Sequence, residues 1–176
     1  MIARIAIEVD DMDLVQLIIE ALKFIFPAYC ANAMPVLAGG GLSLDLGKTL
    51  PDGKPIFGKN KTYRGFVAGL AIGTIAGLAE TAVFNYPIAF GFMVSLGALV
   101  GDLTGAFLKR RLNIPPGGLL PILDQIDFIV GAILFSFLLP MSLSWELIVT
   151  VLVLTPPIHL LTNYVAYRLK LKSNPW

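Results

Sequence analysis

The sequence predicts an all-α integral membrane protein with five transmembrane helices, its N-terminus outside and two long cytoplasmic loops. Three observations lead there. The 176 residues are 56% hydrophobic and only 14% charged, against about 25% charged in a typical soluble domain, so there is too little polar surface to meet water on every side. Five stretches reach spanning length, which takes about 20 mostly apolar residues. Positive charge is also absent from alternate links between those stretches.

The spans are read at residues 14–33, 64–84, 88–108, 122–140 and 145–168, within one membrane domain covering 1–176. Ahead of the first stand Glu8, Asp10, Asp11 and Asp13. A cleaved signal peptide carries positive charge there, so this span is expected to be retained even though Ala31-Asn32-Ala33 resembles a cleavage site. Cys30 lies in the same apolar run and is the sole cysteine, which excludes a disulfide framework and points to packing. The second and third spans carry glycine at every fourth position, Gly65, Gly69, Gly73 and Gly77, then Gly97, Gly101 and Gly105. Such stripes let helix backbones approach closely in lipid. The fifth span contains Pro156-Pro157, which predicts a kink.

Links 85–87 and 141–144 are short enough to force antiparallel hairpins, whereas 34–63 and 109–121 are long. The first long link, up to the helix edge, carries Lys48, Lys54, Lys59, Lys61 and Arg64. The second carries Lys109, Arg110 and Arg111, and the tail carries Arg168, Lys170 and Lys172. Together these are eleven of the thirteen Lys and Arg, and the short links have none. The positive-inside rule puts both long links and the C-terminus in the cytoplasm.

Ionisable residues within spans are costly and usually paired or functional. Glu20 has Lys23 three residues on. Glu80 lies about 24 Å from Arg64 at 1.5 Å per residue, near the outer surface, where it can snorkel. Glu146 begins the last helix, and His159 beside the double proline reads as a satisfied core residue. Asp102, Asp124 and Asp127 differ. Asp102 lies seven residues, roughly 10 Å, inside the third span from Lys109. Asp124 and Asp127 lie about 6 and 10 Å inside the fourth and, three apart, share a helix face. Antiparallel helices bring all three to one depth, where a divalent cation, magnesium by its preference for oxygen ligands, relieves their repulsion. Separate pairing with Lys109, Arg110 or Arg111 is the alternative.

Beside these carboxylates, Gly58-Lys59-Asn60-Lys61-Thr62-Tyr63-Arg64-Gly65 leads into the second span. A basic, glycine-bearing stretch at a helix N-terminus suits phosphate, because free N–H groups and the helix dipole both favour anions. Basic residues at a membrane edge also bind anionic headgroups. With the carboxylates, the combination reads as a magnesium–polyphosphate site at the membrane surface.

Lys61-Thr62-Tyr63-Arg64-Gly65 resembles the Lys-Thr-x-x-Gly element of bacterial CDP-diacylglycerol synthases. Gly101-Asp102-Leu103, Lys109-Arg110, Pro116-Gly117-Gly118 and Leu123-Asp124-Gln125-Ile126-Asp127 follow the order of that family's C-terminal signature. This chain is shorter, has Asn113 or nothing at an acidic position, lacks the usual His, and has Gln125 in place of an Arg. The archaeal branch, CDP-archaeol synthase, is more similar. Asn32-Ala33-Met34-Pro35-Val36, Leu44-Asp45, Asp52-Gly53 and Ile56-Phe57-Gly58 extend the resemblance to about residues 32–131.

The resemblance implies a multi-pass cell-membrane enzyme that transfers a cytidylyl group from CTP to 2,3-bis-(O-geranylgeranyl)-sn-glycerol 1-phosphate, an isoprenoid ether-lipid phosphate, releasing pyrophosphate. Its partners are then CTP, this lipid and the surrounding membrane, with no nucleic acid. It implies magnesium on Asp102, Asp124 and Asp127, and Lys59, Lys61, Thr62 and Arg64 on the CTP phosphates. Lys109, Arg110 and Arg111 are implied for the acceptor phosphate. Asn32, Asp45 and Asp52 are candidates for ribose, cytosine or a loop backbone. Two alternatives stand beside this reading, a CTP-dependent lipid or polyprenol kinase and a small ion-coupled transporter.

Overall fold

The computed structural model describes residues 5–6 and 13–175. Five helices follow in order, α1 (Leu14–Ala38), α2 (Tyr63–Phe84), α3 (Phe90–Arg111), α4 (Leu123–Ser136) and α5 (Trp145–Arg168). A parallel pair of two-residue strands, β1 (Ile5–Ala6) and β2 (Met141–Ser142), aligns Ile5 with Met141 and Ala6 with Ser142. This small clip adds a pair of strands to the predicted helical architecture. Glu8, Asp10 and Asp11 lie outside those residues. Asp13 caps α1, its carboxylate accepting from the Gln16 N–H at 2.8 Å while its own N–H donates to the Gln16 side chain at 3.1 Å.

Four helices, α1, α2, α3 and α5, are long and apolar enough to cross a membrane. The fourth predicted span contracts. α4 has 14 residues, about 21 Å of helix, where the hydrocarbon core measures about 30 Å. Hydropathy registers residues that avoid water, not those that stay helical. Here the chain leaves the helix at Phe137 and still buries Leu139 and Met141, in a turn and in β2. α5 remains one helix through Pro156 and Pro157.

The glycine stripes pack helix against helix. A Cβ on Gly69 would stand 2.6 Å from the Ala31 carbonyl oxygen of α1, and one on Gly77 would overlap Gly91 of α3. On α3, Gly97 faces Gly131 and Gly101 faces Asp127, so position rises along α3 as it falls along α4 and the two run antiparallel. Phe24, Phe90, Phe128, Ile129, Leu147 and Val151 fill the centre, with Phe24 and Phe90 centroids 5.9 Å apart. Val67, Ile75, Val83, Val153 and Leu161 point outward and are exposed, as helices solvated by lipid require.

Glu20 and Lys23 pair at 2.6 Å. Glu80 is buried rather than snorkelling, and its Oε2 has no hydrogen-bond partner among the described residues. Ser144 caps α5 at 3.2 Å from the Leu147 N–H, leaving Glu146 in the first turn.

Candidate active site

The first long loop is built to deliver Lys61. An antiparallel bridge joins Ser43 to Thr62, the Leu44 N–H donates to the Lys61 carbonyl at 2.7 Å, and the Tyr63 N–H donates to the Leu42 carbonyl at 3.1 Å. Asp45 organises the centre. Its Oδ1 accepts from the Ser43 hydroxyl at 2.9 Å and the Gly47 N–H at 3.1 Å, and its Oδ2 from the N–H groups of Phe57 at 3.1 Å and Gly58 at 2.7 Å. Burial alone would raise its pKa, but the donors, led by Gly58 and Phe57, hold it below the ordinary carboxylate value.

Both Asp45 oxygens are therefore engaged by the loop, the loop-backbone alternative among the readings its sequence left open. Asp45→Ala leaves buried N–H groups unpaired and lowers stability by about 3 kcal/mol, read as a drop in melting temperature of the detergent-solubilised protein. An unchanged melting temperature would contradict this role.

Asp52 and Arg111 are engaged by the first loop in the same way. Asp52 accepts from the Lys54 N–H at 3.1 Å and from Arg111 at 2.6 Å. These donors, Lys54 first, hold its carboxyl below the usual range. Arg111 also donates to the Pro55 carbonyl, and its own carbonyl accepts from Lys54 Nζ at 2.9 Å. Arg111 thus clamps the first loop to the end of α3 and is not among the residues lining the cleft described next.

Where the loops meet the helix ends, a cleft of about 550 Å³ opens. It brings together nine residues singled out in the sequence: Asn32 from α1; Lys59, Lys61 and Thr62 from the first loop; Asp102, Lys109 and Arg110 from α3; and Asp124 and Asp127 from α4. Thr62 lines it while capping α2, its Oγ1 accepting from the Gly65 N–H at 3.1 Å. That cap turns Gly65 inward against Pro35 and leaves neighbouring Arg64 exposed, outside the cleft lining.

The charges arrange themselves in pairs. Lys61 Nζ holds both Asp102 oxygens at 2.6 and 2.7 Å, and Lys109 Nζ holds both Asp124 oxygens at 2.9 Å. Asp124 also accepts from the Leu120 N–H at 2.9 Å. That bond spans a tight three-residue turn in which Leu123 N–H donates to the Pro121 carbonyl and Ile122 sits at φ 68°, a strained conformation for a β-branched residue. Asp127 lies deeper, its Oδ1 accepting from the Phe128 N–H at 2.6 Å. Its Oδ2 occupies the space that a side chain at Gly105 would fill.

Separate pairing is thus realised for Asp124 with Lys109, while Asp102 takes Lys61 from the loop. Among the described residues, no three His, Cys, Asp or Glu side chains form a group able to hold an ion by themselves. Such a donor set still fits magnesium that arrives with a nucleotide, since magnesium is commonly bound by one or two carboxylates plus substrate phosphates.

Arg110 is 5% exposed. Its Nε and Nη1 find no hydrogen-bond partner among the described residues, and its side chain lies between Gly58 and the cleft. Buried guanidinium donors are normally satisfied, and an anion in the cleft is the chemistry that satisfies these.

The cleft has a wall that motif reading missed. His159 and Asn163 of α5 line it with residues 171–174. His159 is satisfied as expected, its ring 5.6 Å from Phe128 and its nitrogens 3.3 Å from the Asn163 amide nitrogen, and it faces the cleft as well. The available signal was the tail's positive charge, which assigned it to the same side as the loops.

The CarS-like family model, described as CDP-archaeol synthase, matches residues 14–176. The chain is 47% identical over 165 residues to the CDP-archaeol synthase of Pyrococcus furiosus, covering 90% of this chain and 98% of that protein. It is 43% identical over 163 residues to that of Methanopyrus kandleri, covering 89% and 92%. A solved structure described as an intramembrane enzyme for archaeal membrane lipids biosynthesis superposes with a TM-score of 0.78 at 36% identity, over 92% of this chain and 98% of its own.

Proposed function

The chain belongs to the CDP-archaeol synthase family, and from that membership we propose that it transfers the cytidylyl group of CTP to 2,3-bis-(O-geranylgeranyl)-sn-glycerol 1-phosphate, with pyrophosphate as the second product. The observation that carries the reading is the cleft at the ends of the membrane helices. It gathers Lys59, Lys61, Lys109 and the buried Arg110 beside Asp102, Asp124 and Asp127. A polyanionic nucleotide enters there from the loops, and a lipid phosphate reaches it from between the helices.

An oxygen of the lipid phosphate attacks the α-phosphorus of CTP. The new phosphorus–oxygen bond forms as the bond to the β,γ-unit breaks, and pyrophosphate carries away that electron pair. No general base is needed, because the attacking oxygen is already anionic near neutral pH. Catalysis of this kind rests on positioning and charge neutralisation. Asp127, Asp102 and Asp124 are the residues that would hold magnesium, which supplies neutralisation of the triphosphate charge. Lys61 leaves Asp102 for the leaving phosphates, and Lys109 leaves Asp124 for the acceptor phosphate. Arg110 satisfies its orphaned donors on the same anions. Lys59 lies at the exposed rim and Thr62 fixes the loop entry.

We assign the cleft to the cytoplasmic side, supported by the eleven of thirteen Lys and Arg carried by the two long links and the tail. α4 with the buried turn after it is read as the fifth crossing. Product analysis tests the reaction. Cytidylyl transfer yields pyrophosphate and a CDP-lipid, whereas CDP with a newly phosphorylated lipid would mean a kinase. A protein without CTP turnover or binding would return the transporter alternative.

A further inference from the structure

Lys61 and Lys109 are held in place by backbone as well as by charge. The Lys61 N–H donates to the Gly58 carbonyl at 3.1 Å and its carbonyl accepts from the Leu44 N–H at 2.7 Å, so the loop fixes the direction from which Nζ reaches Asp102. There Nζ lies 2.6 and 2.7 Å from the two carboxylate oxygens. Lys109 stands in the last turn of α3 and places Nζ 2.9 Å from both Asp124 oxygens, while the Leu120 N–H holds Oδ2 of the same carboxylate. Both pairs are partly withdrawn from solvent, none of the four side chains being more than 28% exposed. An ammonium that spans both oxygens of a carboxylate occupies the position a divalent cation would take. Two of the three cleft carboxylates are therefore covered by the protein's own cations.

We infer that the Lys61–Asp102 and Lys109–Asp124 pairs form a latch that keeps divalent metal out of the cleft until substrate phosphate takes the lysines. The inference deepens the cytidylyl-transfer reading and rests on it, since that reaction supplies the anions. A cation arriving alone must break charge-assisted hydrogen bonds and leave an ammonium facing a metal of like charge. A phosphate group removes both obstacles. It accepts the lysine, and its other oxygens join one or two carboxylates in the oxygen set that magnesium prefers. Metal and phosphate then favour each other's binding by the same factor. In the proposed reaction the nucleotide opens the first pair and the lipid phosphate the second, so the carboxylate set is complete only with both substrates seated. Among the described residues, no three His, Cys, Asp or Glu side chains form a group able to hold an ion by themselves, in keeping with a latched site.

The test titrates manganese, a paramagnetic stand-in that shares magnesium's preference for oxygen ligands, into full-length protein in zwitterionic-lipid nanodiscs without either substrate. Bound metal is read by electron paramagnetic resonance. Lys61→Met and Lys109→Met each bind manganese about 10- to 100-fold tighter than wild type. Lys61→Arg keeps the pair and stays near wild type. Lys59→Met removes a positive charge from the exposed rim of the same cleft while leaving both pairs in place, and it also stays near wild type. Adding Asp102→Asn to Lys61→Met abolishes that variant's gain. Inorganic phosphate tightens manganese binding to wild type more than to the protein carrying both lysine substitutions. A folded Lys61→Met or Lys109→Met that binds no tighter than wild type would overturn the inference. So would an equal gain in Lys59→Met, or a phosphate effect no larger in wild type than in the double variant. The two lysine variants break separate pairs, so one that fails to fold leaves the other to decide. Wild type that binds CTP but releases no lipid-dependent pyrophosphate would instead sink the reaction reading, and the manganese titrations, which need neither substrate, would still decide the latch.

Discussion

Asp127→Asn lowers kcat for lipid-dependent pyrophosphate release by about a thousandfold, the scale seen when a group neutralising transition-state charge is lost. The substitution keeps the size of the side chain, so the close fit against Gly105 and the packing of α3 on α4 survive. What changes is charge. Among the described residues, Asp127 is the cleft carboxylate with no lysine pair, and its Oδ2 is turned toward α3. Asp102→Asn has a similar effect on kcat and a second one besides, since it releases Lys61 from a two-oxygen contact. Steady-state rates at varied magnesium separate these roles. Either variant turning over CTP at a near-normal magnesium-dependent rate would refute the carboxylate assignment.

Gly105→Ala lowers kcat by about a hundredfold, the order expected when reacting groups are misplaced by about 1 Å. The added methyl overlaps Asp127 Oδ2 and stands 2.9 Å from its Cγ, so the carboxylate must rotate or α4 must move. Because the obstructed atoms are the end of a side chain, the bundle accommodates the change at modest cost in stability. Gly97→Ala makes the contrasting case. Its methyl meets the Gly131 carbonyl and stands 2.7 Å from the Phe135 Cβ, away from the cleft, so it lowers the melting temperature while the folded fraction keeps its kcat. Equal effects of the two variants on kcat would show that the α3 glycines serve helix packing alone.

That distinction marks where sequence reading stops. The stripe Gly97, Gly101 and Gly105 is legible as a packing face from its four-residue spacing, but its lower end receives the Asp127 carboxylate, which spacing does not reveal. The convergence of Asp102, Asp124 and Asp127 was legible because depth and helix face follow from rise per residue and antiparallel hairpins. The pairing of Lys61 with Asp102, 41 positions apart, was not. It depends on a loop whose register is set by the Ser43–Thr62 bridge and by four hydrogen bonds to Asp45. Asp45 and Asp52 stay open in sequence between the nucleotide and a loop backbone, because which donors reach a carboxylate depends on the folded loop. There, loop donors engage Asp45, and the Lys54 N–H and Arg111 engage Asp52. The length of α4 was hidden because a buried turn and a buried helix end have the same hydropathy. The tail's charge indicated its side of the membrane but not its fold back over the cleft.

In the proposed reaction one cleft, shared between the long loops and the helix ends, joins a soluble nucleotide to a lipid phosphate. Vesicles containing the protein, given CTP labelled at the α-phosphorus and the geranylgeranyl lipid phosphate, test it most directly. Label enters the lipid phase with wild type and falls to background with Asp127→Asn. Label that stays wholly in the aqueous phase with wild type, or enters the lipid equally with both proteins, would contradict it.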